Sequence, residues 1–188
     1  MAKAPPPSVE KIIKSQWMVE FERKHLDEHK LRGFVLDCSD ILTLIHLMDD
    51  NFYLNGYTII RNEDVTKYWV YDKQSYFVSR ALNIKNLKPI QQPEVEIGCW
   101  HNVLSTASNL FPLITIHREE MNNEVCYIGR LVEITSRTFT LQEIDTTALW
   151  EGNRRFRFND VTRIDFGGGY EEVLALVAAE GEKKKKGK

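Results

Sequence analysis

Cysteine, long apolar runs and signal-like segments are all scarce in this sequence. The three cysteines, Cys38, Cys99 and Cys126, are odd in number and far apart, without a CxxC spacing. We therefore expect reduced thiols rather than disulfides. No apolar run approaches the roughly 20 residues that a membrane helix needs, and the start MAKAPPPS lacks the apolar stretch of a secretory signal. These absences predict a cytoplasmic protein that does not associate with membranes.

Catalytic signatures are missing as well, because the sequence contains no GxSxG, GxGxxG or GxxxxGK[ST]. The segment HLDEH, from His25 to His29, does spell the HxxEH of inverted zinc peptidases, which place both histidines on one face of a helix. Here it falls between two predicted strands, which favours a surface turn. We expect no enzyme, no cofactor and no metal site, and a zinc-dependent hydrolase at His25 and His29 is a third hypothesis.

Positive charge is concentrated at one end of the chain. The formal net charge is -2, and the last eight residues, GEKKKKGK, carry +4 from five Lys and one Glu, which leaves -6 on the remainder. An acidic body argues against broad, phosphate-driven nucleic-acid binding. We expect residues 181–188 to be a disordered Lys-rich tail that aids solubility, with tethering to an anionic partner as the alternative.

Two segments of the sequence nearly repeat each other: RNEDVTKY at residues 61–68 and RFNDVTRI at residues 157–164. A shift of 96 residues superimposes them, and it also places Gly33 on Gly129 together with further pairs of Gly and Asp. So many coincidences in register indicate an internal duplication.

The duplication sets the predicted domain boundaries. We expect a flexible N-terminus over residues 1–7, a first unit over 8–85, a linker over 86–98 and a second unit over 99–180, followed by the tail. Each unit has the pattern of a helix, five short strands and a second helix.

Within the first unit, Ser8 is the expected N-cap of the first helix. Gly33 indicates a bend or a close backbone approach within a strand, and Asn55-Gly56 predicts a hairpin turn. Strands of this length, in a unit too small for a sandwich, suggest a closed barrel without free edges. We predict a mainly β protein with short helices, made of two tandem small β-barrels.

The duplicated segments resemble the signatures of the Sm-like fold, an SH3-like barrel. GYTIIRNEDVTKY (residues 56–68) and GNRRFRFNDVTRI (152–164) are similar to its second signature. GFVLDCSDILTL (33–44) and GRLVEITSRTFTL (129–141) are similar to its first. The resemblance implies strongly bent five-stranded barrels, which in that family often assemble into rings through edge strands and bind single-stranded RNA.

The resemblance also implies candidate RNA contacts, which in the family are an Asn of the first signature and the Arg-Gly of the second. Carried over by position, these are Thr43, Arg61 and Asn62 in the first unit and Arg157 in the second. The Asn and the Gly are replaced in both units, so fold carries over better than RNA binding. For Arg61 and Arg157 we favour ion pairs with nearby carboxylates, with contact to an anion or to RNA as the alternative.

Aromatic residues mark a second candidate surface. Trp69, Tyr71, Tyr76 and Phe77 cluster after the first unit, and the matching part of the second unit lacks them. Such a cluster is typical of a contact surface. We expect a non-enzymatic binding or scaffolding protein of bacterial type, acting on a protein partner or by self-association through barrel edges. The alternative is a single-stranded RNA-binding protein related to Sm-like chaperones.

Overall fold

The computed structural model describes residues 7–87 and 91–186, except for the side chains of residues 73–76 and 184–186. Within these residues the protein is mainly β, as expected, with short helices. In chain order the elements are α1 (Val9–Lys14), β1 (Met18–Arg23), β2 (Asp27–Cys38), β3 (Leu42–Met48), β4 (Leu54–Arg61), β5 (Lys67–Tyr71), α2 (Asp72–Ile84), α3 (Trp100–Leu110), β6 (Ile114–His117), β7 (Cys126–Ile134), β8 (Thr138–Ile144), β9 (Trp150–Arg157), β10 (Arg163–Phe166) and α4 (Gly169–Lys186). None of the helices in the described ranges combines the length and apolar character that a membrane span requires.

All ten strands belong to one antiparallel sheet, in the order β5-β1-β2-β3-β4-β10-β6-β7-β8-β9. The two expected closed barrels are not shown by this pairing. Closing the first unit into a barrel would require β4 to pair with β5. Instead, β4 pairs with β10 of the second half. Among the described strands, β5 and β9 are therefore the two free edges of an open sheet.

The two halves place most residues at matching positions 96 apart. Strands β3 and β4 match β8 and β9 in their bounds, and a 3₁₀ turn follows β4 at Asn62–Asp64 and β9 at Phe158–Asp160. The first strand of each half departs from this offset, since Val19 pairs with Gly33 and Ile114 with Gly129. The β6–β7 hairpin is thus one residue longer, and β1 matches β6 at an offset of 95 rather than the expected 96.

Two strand glycines permit close backbone contact, as expected at Gly33. A Cβ on Gly33 would lie 2.1 Å from the carbonyl oxygen of His46, and one on Gly129 would lie 2.3 Å from that of Gln142. Because no side chain fits at either distance, any other residue would push β2 from β3 or β7 from β8.

The hairpin predicted at Asn55-Gly56 is wrong, because both residues lie inside β4. The turn before β4 is formed by Asp49, whose Oδ1 accepts the backbone N–H groups of Asn51 and Tyr53. Gly56 has φ +69°, and a Cβ there would lie 2.5 Å from the backbone nitrogen of Gly168. Its glycine serves a close approach between the halves rather than a turn.

The helices and the connecting segment differ partly from expectation. Ser8 is the N-cap of α1 as predicted, accepting the Lys11 N–H at 3.3 Å. In the expected linker, Val95 and Ile97 are buried in the core with α3, so this segment is part of the packed structure. Helix α4 extends to Lys186, past residue 181 where a disordered tail was expected, since Glu and Lys are good helix formers.

The halves meet along β4 and β10. Ile59 lies opposite Ile164, and Thr58 opposite Asp165. Thr58 Oγ1 donates to Asp165 Oδ1 at 2.5 Å, and His117 Nε2 lies 2.9 Å from Oδ2. Burial would raise the pKa of Asp165, but the Arg163 guanidinium and the contact with His117 hold that pKa far below its usual range. The carboxylate therefore remains charged and partnered inside the junction.

A buried ion pair also joins the halves. Arg23 Nη1 and Nη2 donate to the two carboxylate oxygens of Glu119 at 2.6 and 2.8 Å, and the two side chains are only 0% and 3% exposed. The Glu119 backbone N–H donates to Thr162 Oγ1 at 3.0 Å. Burial opposes ionisation of Glu119, yet the Arg23 hydrogen bonds and charge lower its pKa. The pair fixes the end of β1 against the second half.

Removing Arg23 takes both guanidinium hydrogen bonds from the buried Glu119 carboxylate, whose remaining cation is Arg163 with its Nη1 3.9 Å away. We expect Arg23→Met to lower the free energy of unfolding by about 3–5 kcal/mol, and Arg23→Met/Glu119→Leu to cost clearly less. Urea denaturation followed by circular dichroism measures both values. Arg155→Gln, which breaks an exposed pair with Glu133, is the control and should cost at most about 1 kcal/mol. Equal losses in Arg23→Met and Arg155→Gln would contradict the ion pair's role.

His46 makes stability depend on pH. Its ring stacks on Tyr57 with centroids 4.5 Å apart, and its Nδ1 is buried without a hydrogen-bond partner among the described residues. Burial lowers the pKa of His46 from 6.5 to about 4. Between these values the unfolded chain binds a proton that the folded chain excludes, so stability falls as pH drops from 6.5 to 4.

We expect this one group to remove about 3 kcal/mol of stability across that window, from the size of its pKa shift. His46→Phe keeps a ring against Tyr57 and should lose much less stability than the parent between pH 7 and pH 4.5, measured by urea denaturation. His29→Asn, at a side chain that is 94% exposed, is the matched control and should behave like the parent. An unchanged pH dependence in His46→Phe would show that another group is responsible.

Candidate protein-interaction site

The free edge β5 lies beside an open apolar groove of about 780 Å³. Its walls come from α1, β1, β2 and β5, and the side chains that define it are Ile12, Phe21, Val35, Val65, Tyr68 and Val70. Phe21 and Tyr68 are neighbours across β1 and β5, with ring centroids 6.4 Å apart. We call this surface the β5 groove. It combines an unpaired strand edge with apolar side chains, the two features that a docking strand requires.

The second half fills the corresponding space with aromatic rings. Phe139, Phe156 and Phe158 pack together there, with centroids 5.3 and 5.2 Å from Phe139. Their counterparts at an offset of 96 are Thr43, Ile60 and Asn62, which are smaller or polar. Helix α3 is also longer than α1, at 11 residues against 6. The groove is therefore open because the first half lacks the side chains that fill this space in the second half.

Thr43 and Asn62, two of the candidate RNA contacts, do lie together at the end of this groove. Thr43 Oγ1 donates to Asn62 Oδ1 at 2.6 Å, and Asn62 Nδ2 donates to the Ser39 carbonyl at 2.8 Å. The Cys38 thiol lies 3.4 Å from Thr43 Oγ1. These polar groups partner one another and hold the 3₁₀ turn after β4 against the β2–β3 connection.

Arg61 is held by carboxylates on both sides of the junction. Its Nε and Nη2 donate to Asp64 at 2.6 and 3.0 Å, and Nη2 also donates to Glu120 of the second half. Burial of the Arg61 guanidinium opposes its charge, but the hydrogen bonds to Asp64 and Glu120 raise its pKa. The ion-pair reading of Arg61 agrees with this geometry, and Arg61 acts as a link between the halves.

Arg157 lies on the other free edge, far along the sheet from Thr43, Arg61 and Asn62. It is exposed at the end of β9, and the described residues give it no ion pair. Its neighbours Arg154 and Arg155 are paired with Glu143 and Glu133. The structure therefore places three of the four candidate RNA contacts in the first half and Arg157 on the β9 edge, instead of assembling one site.

The predicted aromatic surface is likewise divided. Trp69 lies on β5 with the Lys30 and Lys67 ammonium groups 4.1 and 4.5 Å from its ring. Tyr71 packs in the core under α2, where its hydroxyl reaches Glu20 at 3.4 Å. Phe77 is exposed on α2, and the Tyr76 side chain is outside the described residues. Of the three whose side chains are described, Trp69 is the one that lines the β5 groove.

The histidines of the HLDEH segment do not converge. His29 Nδ1 lies 3.0 Å from Asp27 Oδ1, while His25 Nε2 lies 3.5 Å from Asp64 Oδ1. Over residues 7–87 and 91–186, no three His, Cys, Asp or Glu side chains are placed to hold a metal ion. The segment forms a turn and the start of β2, as its position between two strands suggested.

The groove residues Val65, Tyr68 and Val70 were not singled out from the sequence. A signal was present in the alignment of the halves, because Thr43 and Asn62 stand where Phe139 and Phe158 stand in the second half. Where two small polar residues in one half align with two phenylalanines in the other, the core of the first half has less side-chain volume and is expected to contain unfilled space. The comparisons with protein-family models, curated proteins and solved structures give no match for this chain.

Proposed function

We propose that this chain is a non-enzymatic, protein-binding scaffold made of two tandem Sm-like units, and that it binds partners through the free edges of its sheet. The observation that carries the proposal is the β5 edge, which is unpaired and lies beside an apolar groove of about 780 Å³. Proteins commonly recognise extended segments by adding them to such an edge. A cytoplasmic location, without cofactor or metal, goes with this proposal.

The matching halves support the Sm-like part of the proposal. The bounds of two strands and the positions of the 3₁₀ turns recur 96 residues apart. So do the β-bulges, which shift the strand register between Val35 and Asp37 and between Leu131 and Glu133. The chain also binds one of its own strands through the same type of edge, since β10 receives β4. The edge of β10 is thus an example, within the molecule, of a strand edge that binds another strand.

Edge variants test the proposal. Affinity capture from an extract of the source cells, followed by mass spectrometry, should recover proteins with the parent that are depleted at least tenfold by Tyr68→Lys on β5 or by Arg155→Glu on β9. Ile84→Lys, at a side chain of α2 that is 76% exposed, is the control for an added surface charge. Direct binding of each recovered protein is then measured by calorimetry. Recovery that is equal with all variants would refute edge-mediated binding.

Single-stranded RNA binding is the second candidate function, and the exposure of Arg157 without an ion pair is the observation that favours it. The acidic body, the enclosed Arg61 and the separation of the candidate contacts count against it. The Lys-rich tail, whose last residues lie outside the described structure, supplies a competing source of charge attraction.

Fluorescence anisotropy with U-rich and A-rich RNAs at two salt concentrations separates these sources. We expect only weak binding that disappears on deletion of residues 182–188 and at the higher salt, since a run of lysines binds phosphates without specificity. Arg157→Ala should match its exposed control Arg137→Ala. Binding that survives tail deletion but falls at least tenfold in Arg157→Ala alone would instead establish RNA recognition.

A further inference from the structure

The face along β10 shows what occupies a strand edge in this fold. Leu42, Leu44 and Ile59 of the first half are at most 1% exposed, and they belong to one core cluster with β10 and α3 of the second half. Ile59 lies directly opposite Ile164 of β10. The edge of β10 is thus covered by a hydrogen-bonded strand, β4, and by apolar side chains of β3 and β4 that pack into the core of the second half.

The β5 groove is the unoccupied counterpart of this face. At an offset of 96, Tyr68 corresponds to Ile164 and Val70 to Phe166. Ile164 and Phe166 are both fully buried under β4, whereas Tyr68 is 43% exposed. Tyr68 and Val70 both line the groove. The two halves therefore have equivalent strand edges, at β10 and at β5. The edge of β10 is paired with β4, whereas the edge of β5 is free among the described strands.

A second copy of this chain is a poor occupant of the groove. The strand equivalent to β4 is β9, and Arg155 stands where Ile59 stands in β4. Behind it, Thr138 and Thr140 replace Leu42 and Leu44. Burying an arginine and two hydroxyl groups against apolar walls is unfavourable unless each is partnered.

The charges at the end of β9 are also unsuited to pairing with β5. In the junction, Arg61 at the end of β4 donates to Glu120 in the loop after β6. The loop after β1 carries Lys24 and His25 where the loop after β6 carries Glu119 and Glu120. Arg157, the counterpart of Arg61, would thus find Lys24 and His25 where Arg61 finds a carboxylate partner.

We infer that the β5 groove binds an extended strand of a different protein, antiparallel to β5, with apolar side chains at two alternate positions matching Tyr57 and Ile59. This inference rests on the proposed function and names the partner's chemistry. In the register of the junction, these two side chains face Val70 and Tyr68. The β9 edge of another copy does not take this place.

Synthetic peptides test the inference with the full chain. A fluorescent peptide copying residues 54–60 (LNGYTII), which omits Arg61, should bind saturably, and its Tyr57→Ser/Ile59→Ser form should bind at least tenfold more weakly. A peptide copying residues 150–156 (WEGNRRF) should also bind at least tenfold more weakly. Tyr68→Lys in the protein should weaken binding of the first peptide tenfold, while Ile84→Lys should leave it unchanged.

Backbone amide NMR shifts locate the site and check folding of each variant. Shifts confined to residues 67–71 and their neighbours on α1 and β1 support the inference, whereas shifts along β4 and β10 would show strand exchange and overturn it. Absence of peptide binding, or equal binding of the β9 copy with concentration-dependent growth in light scattering, would also overturn it. If captured partners bind elsewhere on an edge, the proposed function stands and this inference fails.

Discussion

The pairing of β4 with β10, and the buried charges that lie across it, is the interaction on which the rest of this structure depends. Arg23 donates two hydrogen bonds to Glu119 of the other half, with almost no exposure to solvent. Asp165 is paired with Arg163 and His117 of its own half and accepts a hydrogen bond from Thr58 across the junction. A buried charge without its partner costs several kcal/mol, and a sliding of one half against the other would separate Arg23 from Glu119 and Thr58 from Asp165. The charges therefore fix the register that the apolar contacts alone would specify less strictly.

This junction also determines which surfaces remain free. Because β10 takes β4, the first half cannot close on itself, and β5 is left beside an open groove. The second half has no such space, since Phe139, Phe156 and Phe158 occupy it beneath the longer helix α3. The same order of strands thus yields a filled core in one half and an open groove in the other. The difference lies in a few side chains, which is how sites are commonly added to a fold.

The sequence predicted the local geometry of the halves better than their arrangement. The close approach at Gly33 and the cap at Ser8 follow from single residues and their immediate neighbours, and both are confirmed. The Asn55-Gly56 hairpin is wrong because Asp49 forms the turn, and Gly56 is needed where it meets Gly168, a contact distant in sequence. No local pattern indicates that β4 pairs with β10, or that Arg61 finds Glu120. These contacts depend on how two distant segments meet in space.

The two free edges carry different protection against unwanted pairing. Exposed strand edges invite association, and charged side chains along an edge discourage it. Strand β9 carries Arg154, Arg155 and Arg157 within eight residues, whereas Lys67 is the one charged residue of β5. If both edges were apolar, copies of the chain could add to one another without limit, because the two edges are complementary in type. The charges of β9 oppose that route, so the foreign strand that we propose for β5 would add at one edge without copies of the chain polymerising through the other.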